Sequence, residues 1–193
     1  MSDDLSLQSV LNELANSPKL ESLIQKLGAL KVPPITRPTA DVKSYGDAVY
    51  HNFYPLGISL MFAPPTKGAK VALEQFVCDS IDVINVPDAE PGNTRAAKAT
   101  SAYRAFPGLA LLSFPGTSFV LTPTTTGAEF VQHLGEPARK GGGTGTAGPG
   151  IWCEWPARGL MVEFGGDEAR GPDAWDKGGK AIWSVLTVFR VTQ

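Results

Sequence analysis

The segment that most constrains the fold is the last one, "AIWSVLTVFRV", residues 181–191. Ile182, Ser184, Leu186 and Val188 alternate with Trp183, Val185, Thr187 and Phe189, so both faces are largely apolar. Successive strand residues point to opposite faces of a sheet. A strand apolar on both faces belongs at the middle of a sheet or between two covering layers.

The other strands are legible in the same way. "AVYHNF" and "GISLMFA" read as two strands joined by a turn at Tyr54-Pro55-Leu56-Gly57. "FVCDSIDVINV" reads as a third, with Val77, Ile81, Val83 and Val86 apolar. In the second half "IWCEWP", "GLMVEFG" and the last segment form a three-strand meander, and Leu160, Val162 and Phe164 alternate. "TTTGAEFVQHLGEP" reads as a short helix. A threonine among residues 124–126 caps its start, Phe130, Val131 and Leu134 form its apolar side, and Gly135 with Pro137 ends it.

Residues 5–31 also carry helical spacing. Leu7, Val10, Leu11 and Leu14 recur at i, i+3, i+4, i+7, as do Leu20, Leu23, Ile24 and Leu27. Ser17 is a natural N-cap with Pro18 at the first helical position. The expected organisation is a helical arm over 1–31, a proline-rich linker over 32–45 and one domain over 46–193. The fold class is α+β: a mostly antiparallel sheet with one packed internal helix and the N-terminal arm. "FPGLALLSFPG" adds two Phe-Pro-Gly turns, Phe106–Gly108 and Phe114–Gly116.

Composition excludes several function classes. The 193 residues carry 17 basic and 19 acidic side chains, a net charge of −2, with Arg139-Lys140 the only adjacent basic pair. Nucleic-acid binding needs clustered basic charge, so none is expected. No apolar run reaches transmembrane length, and the acidic start lacks a leader pattern, so no integral membrane segment and a cytoplasmic location are expected.

Catalytic patterns are missing too. "GGGTGTAGPG" lacks the Lys-Ser/Thr of a phosphate loop and lies between a helix and a strand, the reverse of the required order. Cys153 sits mid-strand, where a thiol is a small apolar residue rather than an activated nucleophile with His133 as its base. His51 and His133 lack metal-ligand spacing. Asp79 and Asp82, three apart on a strand, point to opposite faces, whereas Glu154 and Glu163 lie on neighbouring strands. The sequence therefore predicts no catalytic, cofactor or metal residues and no cofactor.

Binding features remain. Trp175, in the polar insertion "RGPDAWDKGG", is a candidate contact for a protein partner, as are Leu20, Ile24 and Leu27 on the arm. Peripheral lipid contact would need Arg139, Lys140 and Arg158 brought together. A pocket on a concave sheet face would need convergent polar groups.

In order, "YHNFYPLGISLMF", "CDSIDVINV", "AEFVQHLGEP", "GIWCEWPARGLMVEF" and "IWSVLTVF" resemble the carboxyl-terminal half of the phagosome assembly factor family, also called UPF0183. More loosely, the helix–LGEP–strand unit resembles β-lactamase-inhibitor-like and BamE-like domains. The resemblance covers roughly residues 46–190. It implies a non-enzymatic adaptor recruited to autophagic membranes with a protein partner, with no site residue carried over.

Overall fold

The computed structural model describes residues 6–86, 102–114, 117, 119–143 and 150–191. Eight strands lie among them: β1 Asp41–Tyr45, β2 Ala48–Phe53, β3 Ile58–Ala63, β4 Val77–Ile84, β5 Arg139–Gly141, β6 Trp152–Trp155, β7 Leu160–Phe164 and β8 Trp183–Phe189. They form one antiparallel sheet in the order β1-β2-β3-β4-β8-β7-β6-β5. β8 thus lies in the middle, as its two apolar faces require. With the helices beside it, the fold is α+β.

Among the described residues three α-helices accompany the sheet: α1 Pro18–Ala29, α2 Gly127–Leu134 and α3 Ala174–Lys177. Each long helix starts on a side-chain cap. The Leu20 amide donates to Ser17 Oγ at 3.2 Å. Thr126 and Glu129 form a reciprocal capping box, and the Thr126 amide donates to Glu129 Oε2 at 2.7 Å. At the end of α2 the Gly135 amide donates to the Val131 carbonyl, and Trp155 Nε1 donates to the Gly135 carbonyl at 2.8 Å.

The helices cover one face of the sheet. Leu20, Leu23, Ile24 and Leu27 of α1 share a single hydrophobic cluster with Val49, Phe53, Leu60 and Phe62. Phe130 of α2 packs edge-on against Phe164 and is stacked with Trp155. Leu186, Val188, Leu160, Val162 and Cys153 complete that layer.

This packing corrects the reading of Leu20, Ile24 and Leu27 as contacts for a partner. Leu20 is 4 % exposed, Ile24 6 % and Leu27 0 %, so these three side chains belong to the core and present no free surface. A docked helix and a detached one carry the same apolar stripe, which is why spacing did not separate them. The arm's first part is not a long helix either: only a 3-10 turn forms, Leu7–Val10, and Leu14 then bridges to Val77. The sheet begins at Asp41, inside the expected linker, because β1 closes a hairpin with β2 through Gly46 and Asp47.

The two halves repeat one plan. β2 leads through a 3-10 turn, Tyr54–Leu56, into β3; β6 leads through Pro156–Arg158 into β7. Both turns end on a left-handed glycine, Gly57 at φ 69° and Gly159 at φ 61°. A Cβ on Gly57 would strike the Arg104 carbonyl, and one on Gly159 the Phe189 carbonyl, so both need glycine twice over. The ladder slips between Met61 and Phe62 and again between Glu163 and Phe164, leaving Asp79 and Ser184 as extra residues. Isolated bridges Leu14–Val77 and Thr126–Ile182 recur at matching places. The slips matter to side-chain direction: they return Cys78 and Trp183 to the core face despite the strict alternation expected there.

Of the two Phe-Pro-Gly turns, Phe106–Gly108 is described and lies beside a 3-10 turn, Leu109–Leu111. Pro115 and Gly116 lie outside the described residues. Among the described residues no helix is long and apolar enough to cross a membrane.

Candidate functional site

The second face of the sheet has no helix on it among the described residues. Register defines it. One row runs across all eight strands through Asp41, Asn52, Ser59, Asp82, Thr187, Met161, Glu154 and Arg139. A row on one side pairs Tyr50, Met61, Ser80 and Phe189; a row on the other pairs Ile84, Val185, Glu163 and Trp152. The apolar members of these rows are absent from the core cluster, in keeping with their placement on the opposite face. Most are half-buried.

Cross-strand hydrogen bonds organise the central row. Ser59 Oγ and Tyr103 Oη each donate to Asn52 Oδ1 at 2.9 Å. Thr187 Oγ1 donates to Asp82 Oδ1 at 2.8 Å. At the two ends, Lys43 pairs with Asp41 at 3.4 Å and Arg139 with Glu154 at 3.5 Å. Among the described residues the face's two cations are therefore each matched, and two carboxylates remain.

Those two are Asp82 and Glu163. Among the described residues no basic side chain pairs with either. Burial pushes the Asp82 carboxyl up to about 6; the Thr187 hydroxyl works against that, and the nearby Glu163 charge adds to it. Burial alone raises Glu163 above the ordinary carboxylate range. An unmatched carboxylate in a partly apolar surface is held at a cost, and a cation brought to it would relieve that cost.

A groove of about 540 Å³ lies at the β1–β2 end of the face; Asp82 does not line it and stands two strands from its Asn52 wall, with Ser59 between. Tyr45, Tyr50, Tyr54 and Tyr103 line it with Lys43 and Asp47. The rings are fixed in edge-on pairs, Tyr45 on Tyr50 at 5.8 Å and Tyr54 on Tyr103 at 4.8 Å. Tyr54 Oη donates to Asp41 Oδ2 at 2.8 Å and accepts from Lys43 Nζ at 3.2 Å. Burial first, and then the charge of Asp82, raises the Tyr50 hydroxyl. The Tyr103 hydroxyl is also raised chiefly by burial, with Asp82 contributing.

A larger groove, about 810 Å³, opens at the β3–β4 end. Its arginine is already engaged: Arg190 meets Asp79 at 2.7 Å, Asn12 Oδ1 at 3.0 Å and the Pro65 carbonyl at 2.8 Å. That arrangement ties the chain end to the bulge and leaves Arg190 in a structural role.

The residues singled out from sequence fall as follows. Trp175 is 44 % exposed on α3, with Lys140 Nζ 5.7 Å from its ring centre. Arg139 and Lys140 are neighbours on β5 and so point to opposite faces, and Arg139 is engaged with Glu154. Glu154 and Glu163 share the open face on adjacent strands. Asp79 and Asp82 are separated, the first in the bulge beside Arg190, the second on the open face. Cys78 and Cys153 are free and buried; burial pushes their thiols up to about 12 and about 11. His133 stacks on Phe119 at 4.6 Å, and among the described residues no hydrogen bond joins it to Cys153. Within the glycine stretch, residues 144–149 lie outside the described residues. Among the described residues no cluster of His, Cys, Asp and Glu has metal-binding geometry.

Comparison with protein-family models, curated proteins and solved structures yields no match.

Proposed function

We propose that this chain is a non-enzymatic protein-binding module whose working surface is the helix-free face of its sheet. The observation that carries this reading is the state of that face. It presents Met61, Met161, Val185, Phe189 and Trp152 around two carboxylates with no counter-ion among the described residues. A sheet face on which no helix lies among the described residues gains by acquiring a second layer. Methionines and aromatic rings are the side chains that adapt to and anchor a protein partner.

The UPF0183 resemblance supplies the setting of the proposal: an adaptor in autophagy or membrane trafficking, working from the cytoplasm. Trp175, exposed at the far edge, extends the same reading to a secondary contact.

The test is affinity capture from native extract with the intact chain and with Val185→Glu, each first checked for an unchanged circular dichroism spectrum and melting temperature. The proposal requires a stoichiometric partner that Val185→Glu loses. Retention of every captured protein by that variant rejects the open face as the working surface.

A further inference from the structure

We infer that the open face receives a lysine- or arginine-bearing segment of a protein partner, with the cationic head entering the tyrosine groove that Asp47 lines, on the β1–β2 side of Asp82. This deepens the protein-binding reading and rests on it.

Three features converge on a cation. First, charge: Asp41, Glu154, Asp82 and Glu163 stand on the face against Lys43 and Arg139. Lys43 and Arg139 are taken by Asp41 and Glu154, which leaves Asp82 and Glu163. An anionic lipid surface or a nucleic-acid backbone would be repelled here, whereas a basic segment would be matched.

Second, shape: the groove of about 540 Å³ has room for a long basic side chain. Its walls are tyrosine rings, which attract cations through their faces and stack on guanidinium. The site already holds a cation in this manner, since Lys43 Nζ lies 5.9 Å from the Tyr54 ring centre.

Third, preorganisation: Tyr103, Ser59 and Asn52 are locked in one hydrogen-bonded set, and Tyr54 is locked to Asp41. Little side-chain freedom is lost when a ligand arrives. Glu154, which Arg139 already holds, lies where the repeated plan puts the counterpart of Asn52, so the corresponding place in the second half presents a paired acid.

The experiment is a chemical-shift titration of the isotope-labelled full chain with N-acetyl-arginine N-methylamide at millimolar concentration. The norleucine and glutamate analogues serve as controls. The expected result is a saturating shift confined to Tyr50, Asn52, Asp82 and Tyr103 with the arginine probe. Asp82→Asn, verified as folded by its spectrum, should weaken it about threefold, the scale of one nearby charge not in direct contact. An equal response to norleucine or glutamate, no response to arginine, or an unchanged affinity in Asp82→Asn overturns the proposal. If the probe fails while Val185→Glu still abolishes partner capture, the protein-binding reading stands and the cation site falls. If neither responds, both fall.

Discussion

Asp82 and Thr187 face each other across the β4–β8 seam, and the Thr187 hydroxyl donates to Asp82 at 2.8 Å. The two residues occupy equivalent places in the two halves: Asp82 is opposite Ser59 two residues after Gly57, and Thr187 is opposite Met161 two residues after Gly159. The seam between the halves therefore passes through this pair. One half brings an acid to it and the other a hydroxyl. That difference places an unmatched carboxylate at the middle of the open face.

The raised Asp82 carboxyl, at about 6, makes stability depend on pH. Its unfolded value is about 4. The folded state holds the proton more tightly, so the contribution is greatest below about pH 4, declines as pH rises through 4 to 6, and stays low above. Asp82→Asn removes that dependence while leaving an oxygen for Thr187. Relative to wild type, the variant should gain roughly 1–3 kcal/mol between pH 4 and pH 7, with little further change above. Urea midpoints of both proteins across that range measure the difference. A constant difference contradicts the assignment. The groups facing Asp82 are Thr187, Ser59, Glu163, Tyr50 and Tyr103; Glu163, also raised, contributes in the same direction in both proteins.

Glycines at the two turns are not interchangeable with those at helix ends. Gly57→Ala meets both a positive φ of 69° and the Arg104 carbonyl. Gly135→Ala, at φ 82°, meets open space. The expected cost is about 1–3 kcal/mol at Gly135, whose φ of 82° and ψ of −178° suit only glycine, and more at Gly57, where the carbonyl clash is added. Denaturant unfolding of the two variants decides it, and equal costs would contradict the close approach.

Helix α1 is part of the core. Leu27, 0 % exposed, should cost about 2–5 kcal/mol when replaced by alanine. Removing residues 1–31 should strip the sheet of a covering layer and unfold it, visible as loss of near-ultraviolet dichroism. A truncated chain that melts cooperatively at the wild-type temperature would show that the helix is dispensable.

The two buried thiols should be inert. With pKa values of about 12 and about 11, Cys78 and Cys153 hold very little thiolate at pH 8. Ellman's reagent should label neither in the native protein and both in guanidinium. Rapid native labelling of Cys153 would contradict its burial.

Local chemistry made much of the fold legible. The two apolar faces of the last segment put it mid-sheet, and Ser17, a threonine among residues 124–126 and Gly135 marked helix ends because caps are written in single residues. The repeat was also present in the letters. Phe53, Gly57, Ile58, Leu60 and Phe62 recur as Trp155, Gly159, Leu160, Val162 and Phe164. Only the glycines and the spacing match closely, so the helix-then-meander order showed while the duplication did not. Asp82 was illegible for a different reason. An aspartate in an alternating strand looks solvated, and only register reveals that it faces Thr187 in a surface whose cations are spent elsewhere. Leu20, Ile24 and Leu27 advertised an apolar stripe without saying what it covers.

The central claim is that the helix-free face is the working surface. Met61 and Met161, half-buried on that face, make it directly readable by oxidation. The measurement is hydroxyl-radical footprinting of the free chain and of the chain in complex with its captured partner. The account predicts strong protection of Met61, Met161 and Trp152 in the complex. Protection confined to other surfaces, with these three oxidised as fast as in the free chain, would contradict it.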